Sequence, residues 1–439
     1  MSAPVRTGEL KGRSFAAILL TCGLAYMFDG YDLTVYGTTV PGLVKEWGIT
    51  PARAGAIGSY ALIGMLVGAV VIGSVTDLIG RRRVLIGTVV WFSLATAACG
   101  LARDPNTFGV VRFVAGLGLG AVLPTLNSLL IEYAPARKRN LMYAIMAVGY
   151  PVGGILAAAL AIPLIPALGW HVMYIIGAAP CALVLPLALR YLPESLEYLL
   201  ARGHVERARK QAARLGVDLP ESGPIRPRSG LVGLATLVRA PYRVPTVLFG
   251  LACFCCLLLV YGINTWLPQL MRQANYPLGS ALSFLLVFNL GAILFVFVGA
   301  RAADRFGSKI TIAVSFCAAA LAILLIARTF SFWPLYALLA IAGYGTIGTQ
   351  TLLNAHITSY YPGEARAAGI AWALGIGRLG GILGPVLGGA LLSAQVGLSS
   401  LFGIFAAVAV VGAVLILLVR RPVIHETSID ADVVKGVLN

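Results

Sequence analysis

Long apolar stretches alternate with short polar ones twelve times along this chain. The apolar runs lie near residues 14–38, 54–75, 84–102, 107–131, 141–165, 172–190, 246–271, 280–300, 310–327, 333–360, 367–393 and 399–419. Each approaches or exceeds the about 20 residues that an α-helix needs to cross a bilayer. A membrane β-barrel would show short segments of alternating polarity instead. These runs are continuous, so the pattern predicts twelve membrane helices. The polar stretch 191–245 is much longer than the others and divides the helices six and six. The expected organisation is a cytoplasmic N-terminal segment 1–13, a six-helix bundle 14–190, a cytoplasmic loop 191–245, a second six-helix bundle 246–419 and a cytoplasmic tail 420–439. Within the loop, Glu194–Arg214 is charged and helix-prone, and Pro220–Arg228 reads as a Pro-rich linker.

Composition places this pattern in lipid. Hydrophobic residues make up 59% and charged residues 11% of the chain, whereas a soluble domain carries about 25% charged residues. The mean hydropathy of +0.88 excludes a soluble enzyme, a disordered chain and a fibrous one. With 51 Gly and 23 Pro, the helices are expected to pack closely and to be interrupted in places. The net charge of +16 does not point to nucleic acid, because the charges cluster in the short segments between apolar runs. With the N-terminus inside, 26 of the 33 Lys and Arg fall on the cytoplasmic side and 5 outside, while Arg112 and Arg378 lie within the membrane. That bias places both termini in the cytoplasm. No small-residue cleavage site precedes Asp29, so the first run reads as an uncleaved helix of a cell-membrane protein. The 7 Cys all fall in apolar runs, and Cys253-Phe254-Cys255-Cys256 is too local for a tetrahedral metal site. Neither disulfides nor a metal or cofactor are expected.

One motif occurs twice. Gly73-Ser-Val-Thr-Asp77-Leu-Ile-Gly80-Arg81-Arg82-Arg83 follows the second run, and Ala300-Arg301-Ala-Ala-Asp304-Arg305-Phe-Gly307-Ser308-Lys309 follows the eighth. Asp, Gly and the last base keep their spacing, which reveals a parallel repeat of six helices. Gly permits a sharp turn and close helix approach. Asp caps a helix N-terminus, and Arg bridges to acids on adjacent helices. The expected latch comprises Gly73, Asp77, Gly80, Arg81, Arg82, Asp304, Gly307 and Glu132.

These loops resemble the signature loop of the major facilitator superfamily of secondary transporters, over nearly the whole chain. The second copy departs from that pattern at Ala300. Arg112-Phe-Val-Ala-Gly116-Leu-Gly118-Leu-Gly120 is similar to the superfamily's fourth-helix motif. Pro193-Glu194-Ser195 with Tyr198-Leu-Leu-Ala-Arg202-Gly203 is similar to the loop after helix 6 in several branches, sugar porters among them.

Ionisable groups within hydrocarbon are expensive and mark function by default. Asp29 and Asp32 sit three residues apart on one face of the first helix, with Tyr26 and Tyr36 near them at helical spacing. Two carboxylates so close disfavour joint ionisation, which suits loading and unloading a proton. The other reading is a pair neutralised by Arg112. Helix rise puts Asp32 about 9 Å and Arg112 about 8 Å from the outer surface, so the two are level. Arg112 is then either a partner released on protonation or a fixed bridge. Arg378 stands in the eleventh helix about 16 Å from its inner end, with no acid in the helices of its own half. It is expected either to hold a substrate carboxylate or to bridge to Asp29 or Asp32. In the tenth helix Thr346, Gln350, Asn354 and Thr358 recur every four residues, with His356 near the cytoplasmic end. In the seventh, Tyr261, Asn264, Thr265 and Gln269 form a polar face beside Trp266 and Pro268.

Asp29-Gly-Tyr-Asp32, Asn264-Thr-Trp266-Leu-Pro268 and Trp372-Ala-Leu-Gly-Ile-Gly377-Arg378-Leu-Gly380 together resemble the aromatic acid:proton symporter branch. That resemblance implies uptake of benzoate-like or hydroxybenzoate-like anions with protons, usually in bacteria that degrade aromatics. A monomer in the inner membrane is expected. Asp29 and Asp32 are then the proton-coupling residues. Arg378, Arg112, Tyr31, Asn264, Trp266, Gln350, Asn354, His356 and Trp372 are the substrate-binding candidates. A sugar porter, another organic-anion carrier, an efflux antiporter and a non-transporting sensor remain the alternatives. An enzyme is not expected, since no metal cluster, nucleotide loop or Ser/His/Asp set stands out. Gly116-Leu-Gly118-Leu-Gly120 lies within a membrane helix and reads as packing.

Overall fold

The computed structural model describes residues 12–134, 139–215, 219, 230–328, 331–363 and 365–420. All regular structure among them is helical. The first half comprises α1 (Gly12–Trp47), α2 (Pro51–Ile79), α3 (Arg81–Cys99), α4 (Pro105–Tyr133), α5 (Arg139–Ala147), α6 (Gly149–Leu168), α7 (His171–Ile175) and α8 (Ala179–Tyr191). The connecting loop carries α9 (Leu196–Ala201), α10 (Val205–Leu215) and α11 (Gly230–Val238). The second half comprises α12 (Arg243–Gln273), α13 (Leu278–Phe306), α14 (Ser308–Ile326), α15 (Phe332–Gly343), α16 (Thr349–Tyr360), α17 (Arg366–Ser393) and α18 (Leu398–Leu418). The expected linker Pro220–Arg228 lies outside the described residues.

Ten segments among the described residues are long and apolar enough to cross a membrane, where the sequence pattern predicts twelve. The two others are α1, whose apolar run is broken by Asp29 and Asp32, and the stretch from Phe332 to Tyr360. A π-helical turn at Tyr344–Gly348 splits that stretch into α15 and α16, of 12 residues each. Such turns are rare and gather at functional sites. The polar stripe of the tenth run begins inside this turn, at Thr346.

Local chemistry fixes the helix starts. Asp104 caps α4 by accepting from the Asn106 and Thr107 amides at 2.9 and 3.0 Å, with Pro105 at the first helical position. Its Thr107 hydrogen bonds hold the Asp104 carboxyl below the ordinary aspartate range. Thr50 and Pro51 start α2 in the same way.

The packing repeats between the halves. In the first, α1 lies along α6 and α2 along α4; in the second, α12 lies along α17 and α13 along α15. Three extensive contacts join the halves: α2 with α17, α6 with α13, and α1 with α12. Along the first of these, the Ala52 amide donates to Ser393 Oγ at 2.8 Å, Ser59 Oγ to the Ile382 carbonyl at 2.6 Å, and Arg378 to the Met65 carbonyl at 2.7 Å. At the α1–α12 crossing a Cβ on Gly37 would collide with the Asn264 carbonyl, so only Gly allows that approach.

Candidate functional site

The two acids of α1 differ in their surroundings. Asp32 and Arg112 form an ion pair at 2.8 Å, with side chains 2% and 1% exposed. Thr96 Oγ1 donates to the other Asp32 oxygen at 2.5 Å. The Arg112 guanidinium lies over the Tyr36 and Tyr174 rings, 5.5 and 5.9 Å from their centroids, which adds cation–π stabilisation. Asp32 thus has a cation and a hydroxyl, and Arg112 is enclosed by partners from α1 and its own half. This geometry is the paired state that a fixed bridge and a partner released on protonation share.

Asp29 is different. It is buried, and its Oδ1 has no hydrogen-bond partner. Arg378 of α17, in the opposite half, lies within electrostatic reach of it. Around the two gather Tyr26 of α1, Tyr150 of α6 and Tyr261 of α12. The Tyr26 and Tyr150 rings are 5.7 Å apart, and Tyr150 and Tyr261 lie within reach of one another. One unpaired acid, one half-buried arginine and three phenol rings therefore meet where the halves join. Such a group can exchange a proton, hold an anion by the planar guanidinium fork and stack against an aromatic ring.

The remaining candidates are spread more widely. Tyr31 donates to the Met173 carbonyl at 2.7 Å within the first half. Trp266 is fully buried and donates to the Pro385 carbonyl at 2.8 Å. Asn264 donates to the Val260 carbonyl and receives Asn289 of α13 at 3.4 Å. Gln350 donates to Asn354 at 2.8 Å, within their own helix. Trp372 is 41% exposed on α17. His356 pairs with Ser308 Oγ at 2.7 Å, beside Lys309 and Val419, away from the Asp29 cluster. Tyr150, Tyr174 and Thr96 carried no signal in the sequence, because each is brought in by packing from a distant run.

At the loop that repeats, Gly80 adopts φ +107° and Gly307 φ +89°, so both copies turn through a conformation that favours glycine. Arg81 reaches Glu132 at 3.0 Å and Glu197 at 2.9 Å, and the Arg82 amide donates to Glu194 Oε1 at 2.9 Å. Glu194 and Glu197 come from the loop after α8 and complete the acid set of which the sequence named only Glu132. Burial raises the Glu132 carboxyl above its ordinary value, against the Ser195 hydrogen bond and Arg81, which lower it. Gly73 makes no close helix approach, since a Cβ there meets nothing within 4 Å. Asp304 is exposed, and the Asp77 side chain lies outside the described ones. A Cβ on Gly80 would stand 2.6 Å from the Glu194 carboxylate, which is itself held by Arg82 and Ser195. Gly80→Ala is therefore expected to destabilise by about 1–3 kcal/mol through backbone strain, whereas Gly73→Ala is expected to be neutral or slightly stabilising. Thermal unfolding of the two variants in detergent distinguishes them; equal midpoints would refute this account of the turn.

A helical membrane protein with repeated halves and a charged aromatic cluster between them has the build of a secondary transporter. The Major Facilitator Superfamily model matches residues 22–299 and 282–436. The gentisate transporter of Corynebacterium glutamicum is 36% identical over 419 residues, covering 94% of this chain and 89% of that protein. The benzoate transport protein of Acinetobacter baylyi is 36% identical over 394 residues, covering 86% and 84%. The gallate transporter of Pseudomonas putida is 35% identical over 397 residues, covering 88% and 87%. Among solved structures, the crystal structure of a D-xylose–proton symporter superposes with a TM-score of 0.73 at 17% identity, covering 93% of this chain and 98% of that one, and shares the fold. The chain belongs to the Major Facilitator Superfamily, within its aromatic acid:proton symporter family, and is a multi-pass membrane protein.

Proposed function

We propose that this protein imports aromatic carboxylates of the benzoate and hydroxybenzoate type together with protons, by alternating access. The observation that carries the reading is Asp29, buried with an unpartnered oxygen at the junction of the halves and within reach of Arg378. The benzoate, gentisate and gallate carriers among its relatives support the substrate class. The distant likeness to a xylose symporter carries the fold alone.

In this reading twelve helices form two bundles, 14–190 and 246–419, joined by the loop 191–245, with the segments 1–13 and 420–439 both cytoplasmic. The protein acts as a monomer and needs no metal or cofactor. A substrate carboxylate enters between the bundles and takes the Arg378 fork, with its ring among Tyr26, Tyr150 and Tyr261. Asp29 receives the proton. Neutralising Asp29 while the anion neutralises Arg378 leaves no net charge in the centre, which lowers the cost of closing the site around it. Asp32 stays with Arg112 and holds α1 against α4. Gln350, Asn354 and Trp372 line the path towards the inner end.

Proteoliposome uptake of labelled benzoate under a proton gradient, inside alkaline, tests the proposal. Accumulation that survives collapse of the gradient, or competition by sugars and not by aromatic acids, would refute it. Asp77→Ala is expected to slow this uptake while leaving half-saturation within a few-fold, as befits a residue of the switching loop. A large affinity loss at normal turnover would remove that loop from switching.

A further inference from the structure

The loop after α8 folds α10 back over the start of α3. Between them lies a cavity of ≈ 460 Å³, lined by Arg82 and Arg83 of α3 and by Arg207, Lys210 and Arg214 of α10, with Glu194 in its wall. The three α10 residues recur at i, i+3 and i+7, which places them along one stripe of the helix. Ala208, Ala212 and Leu215 are buried and fix the helix in that orientation.

Among the described residues, the charges in this cavity are unbalanced. Glu194 is already engaged by the Arg82 and Ser195 amides at 2.9 and 3.1 Å. Glu132 and Glu197 are bound to Arg81, and Glu206 pairs with Arg209, which does not line the cavity. Among the described residues, Arg83, Arg207, Lys210 and Arg214 have no carboxylate partner. Arg82 Nε is buried with no acceptor. Membrane topology rewards Lys and Arg on this side of the chain, but it does not require them to converge on one concave space. A cleft lined by one sign of charge focuses the field and concentrates counter-ions.

We infer that this cavity binds a phosphate-bearing anion, either a phospholipid headgroup or a soluble phosphate compound. Guanidinium forks match phosphate oxygens in pairs, and Lys adds a point charge. The volume falls within the about 300–1,000 Å³ of small-ligand sites. Because α3 is itself an apolar span beginning at Arg81, the cavity stands at the rim of the membrane, within reach of headgroups. An anion there ties α10 to α3 beside Glu194, the residue that braces the Gly80 turn. Occupancy therefore stiffens the switching loop, and does so without contact with the Asp29 cluster.

The test uses the full chain, purified in neutral detergent. Inorganic pyrophosphate is titrated calorimetrically, and phosphatidylglycerol retention is compared with phosphatidylcholine retention by native mass spectrometry. At low salt at least one anionic probe is expected to bind. Arg207→Ala, Lys210→Ala and Arg214→Ala combined should weaken that binding at least about tenfold, since three of the cavity's basic groups are then gone. Raised salt should weaken it as well. Lys210→Glu alone, a reversal at an exposed position of α10, gives the same direction of change without truncating the helix surface. Phosphatidylglycerol without pyrophosphate identifies a headgroup site, and pyrophosphate without phosphatidylglycerol a soluble ligand. Binding of neither probe, or unaltered binding by both variants, overturns the inference.

Discussion

Asp29→Asn is expected to abolish proton-driven accumulation of substrate and to leave the protein folded. The Asp29 oxygen that lacks a partner loses nothing when it becomes an amide, but an amide cannot exchange a proton. Exchange of labelled for unlabelled benzoate across the membrane, with no gradient imposed, should persist, because that process carries the same load in both directions. Asp32→Asn should behave differently. It removes the charge opposite Arg112 in a site where both partners are buried, and breaking such a pair costs about 3–5 kcal/mol. Its main effect is expected in yield and thermal midpoint, ahead of any specific loss of coupling. Uptake by the Asp29→Asn variant that still concentrates substrate against a gradient would remove Asp29 from the proton step.

The division between the two acids was half legible in the sequence. Helix rise alone set Asp32 level with Arg112, since depth along a straight helix follows from residue number. It could not say which carboxylate the arginine takes. That choice depends on Thr96 of α3 and on the Tyr36 and Tyr174 rings, which close the site from other helices. The repeated loop was legible for the same local reason: a Gly at a fixed offset from Asp imposes a turn, and Gly80 and Gly307 both make it. The acids that receive Arg81 and Arg82 were harder to see. Glu194 and Glu197 lie more than a hundred residues along the chain and meet the loop only because α8 returns to the same end of the bundle.

Periodicity left the tenth run open. A step of four from Thr346 to Thr358 reads as hydrogen bonding between helices for the two Thr and as substrate contact for Gln350 and Asn354. In the fold the stripe begins within a π-helical turn, and much of it is satisfied locally. Thr346 donates to the Ala342 carbonyl, Gln350 to Asn354 and Thr358 to the Asn354 carbonyl. A regular spacing of polar residues reports that hydrogen bonds are needed, not where the partners stand. The tyrosines around Asp29 show the converse. Tyr150 lies in an otherwise apolar helix with no pattern to mark it, yet it touches Tyr26 and Tyr261 from opposite halves.

Arg378→Ala is expected to abolish measurable binding of benzoate, and Arg378→Lys to weaken it substantially. In this conformation the guanidinium donates to the Met65 carbonyl at 2.7 Å, a neutral acceptor on the opposite half. A carboxylate is a stronger acceptor for the same fork, since charge-assisted hydrogen bonds are about twice as strong as neutral ones. Substrate is thus expected to replace Met65 as the partner of Arg378. Loss of one member of a buried charged contact costs about 3–5 kcal/mol, which is some hundred-fold or more in affinity. Lys retains the charge but loses the paired geometry. Benzamide, with no charge to offer, should bind the unaltered protein poorly. Calorimetric titration in detergent separates two roles for this residue. If Arg378 serves only to join α17 to α2, the Ala variant will keep its affinity for benzoate and lose thermal stability instead. That outcome would end its assignment as the anion anchor, because the other intramembrane arginine, Arg112, is already closed in by Asp32 and two rings.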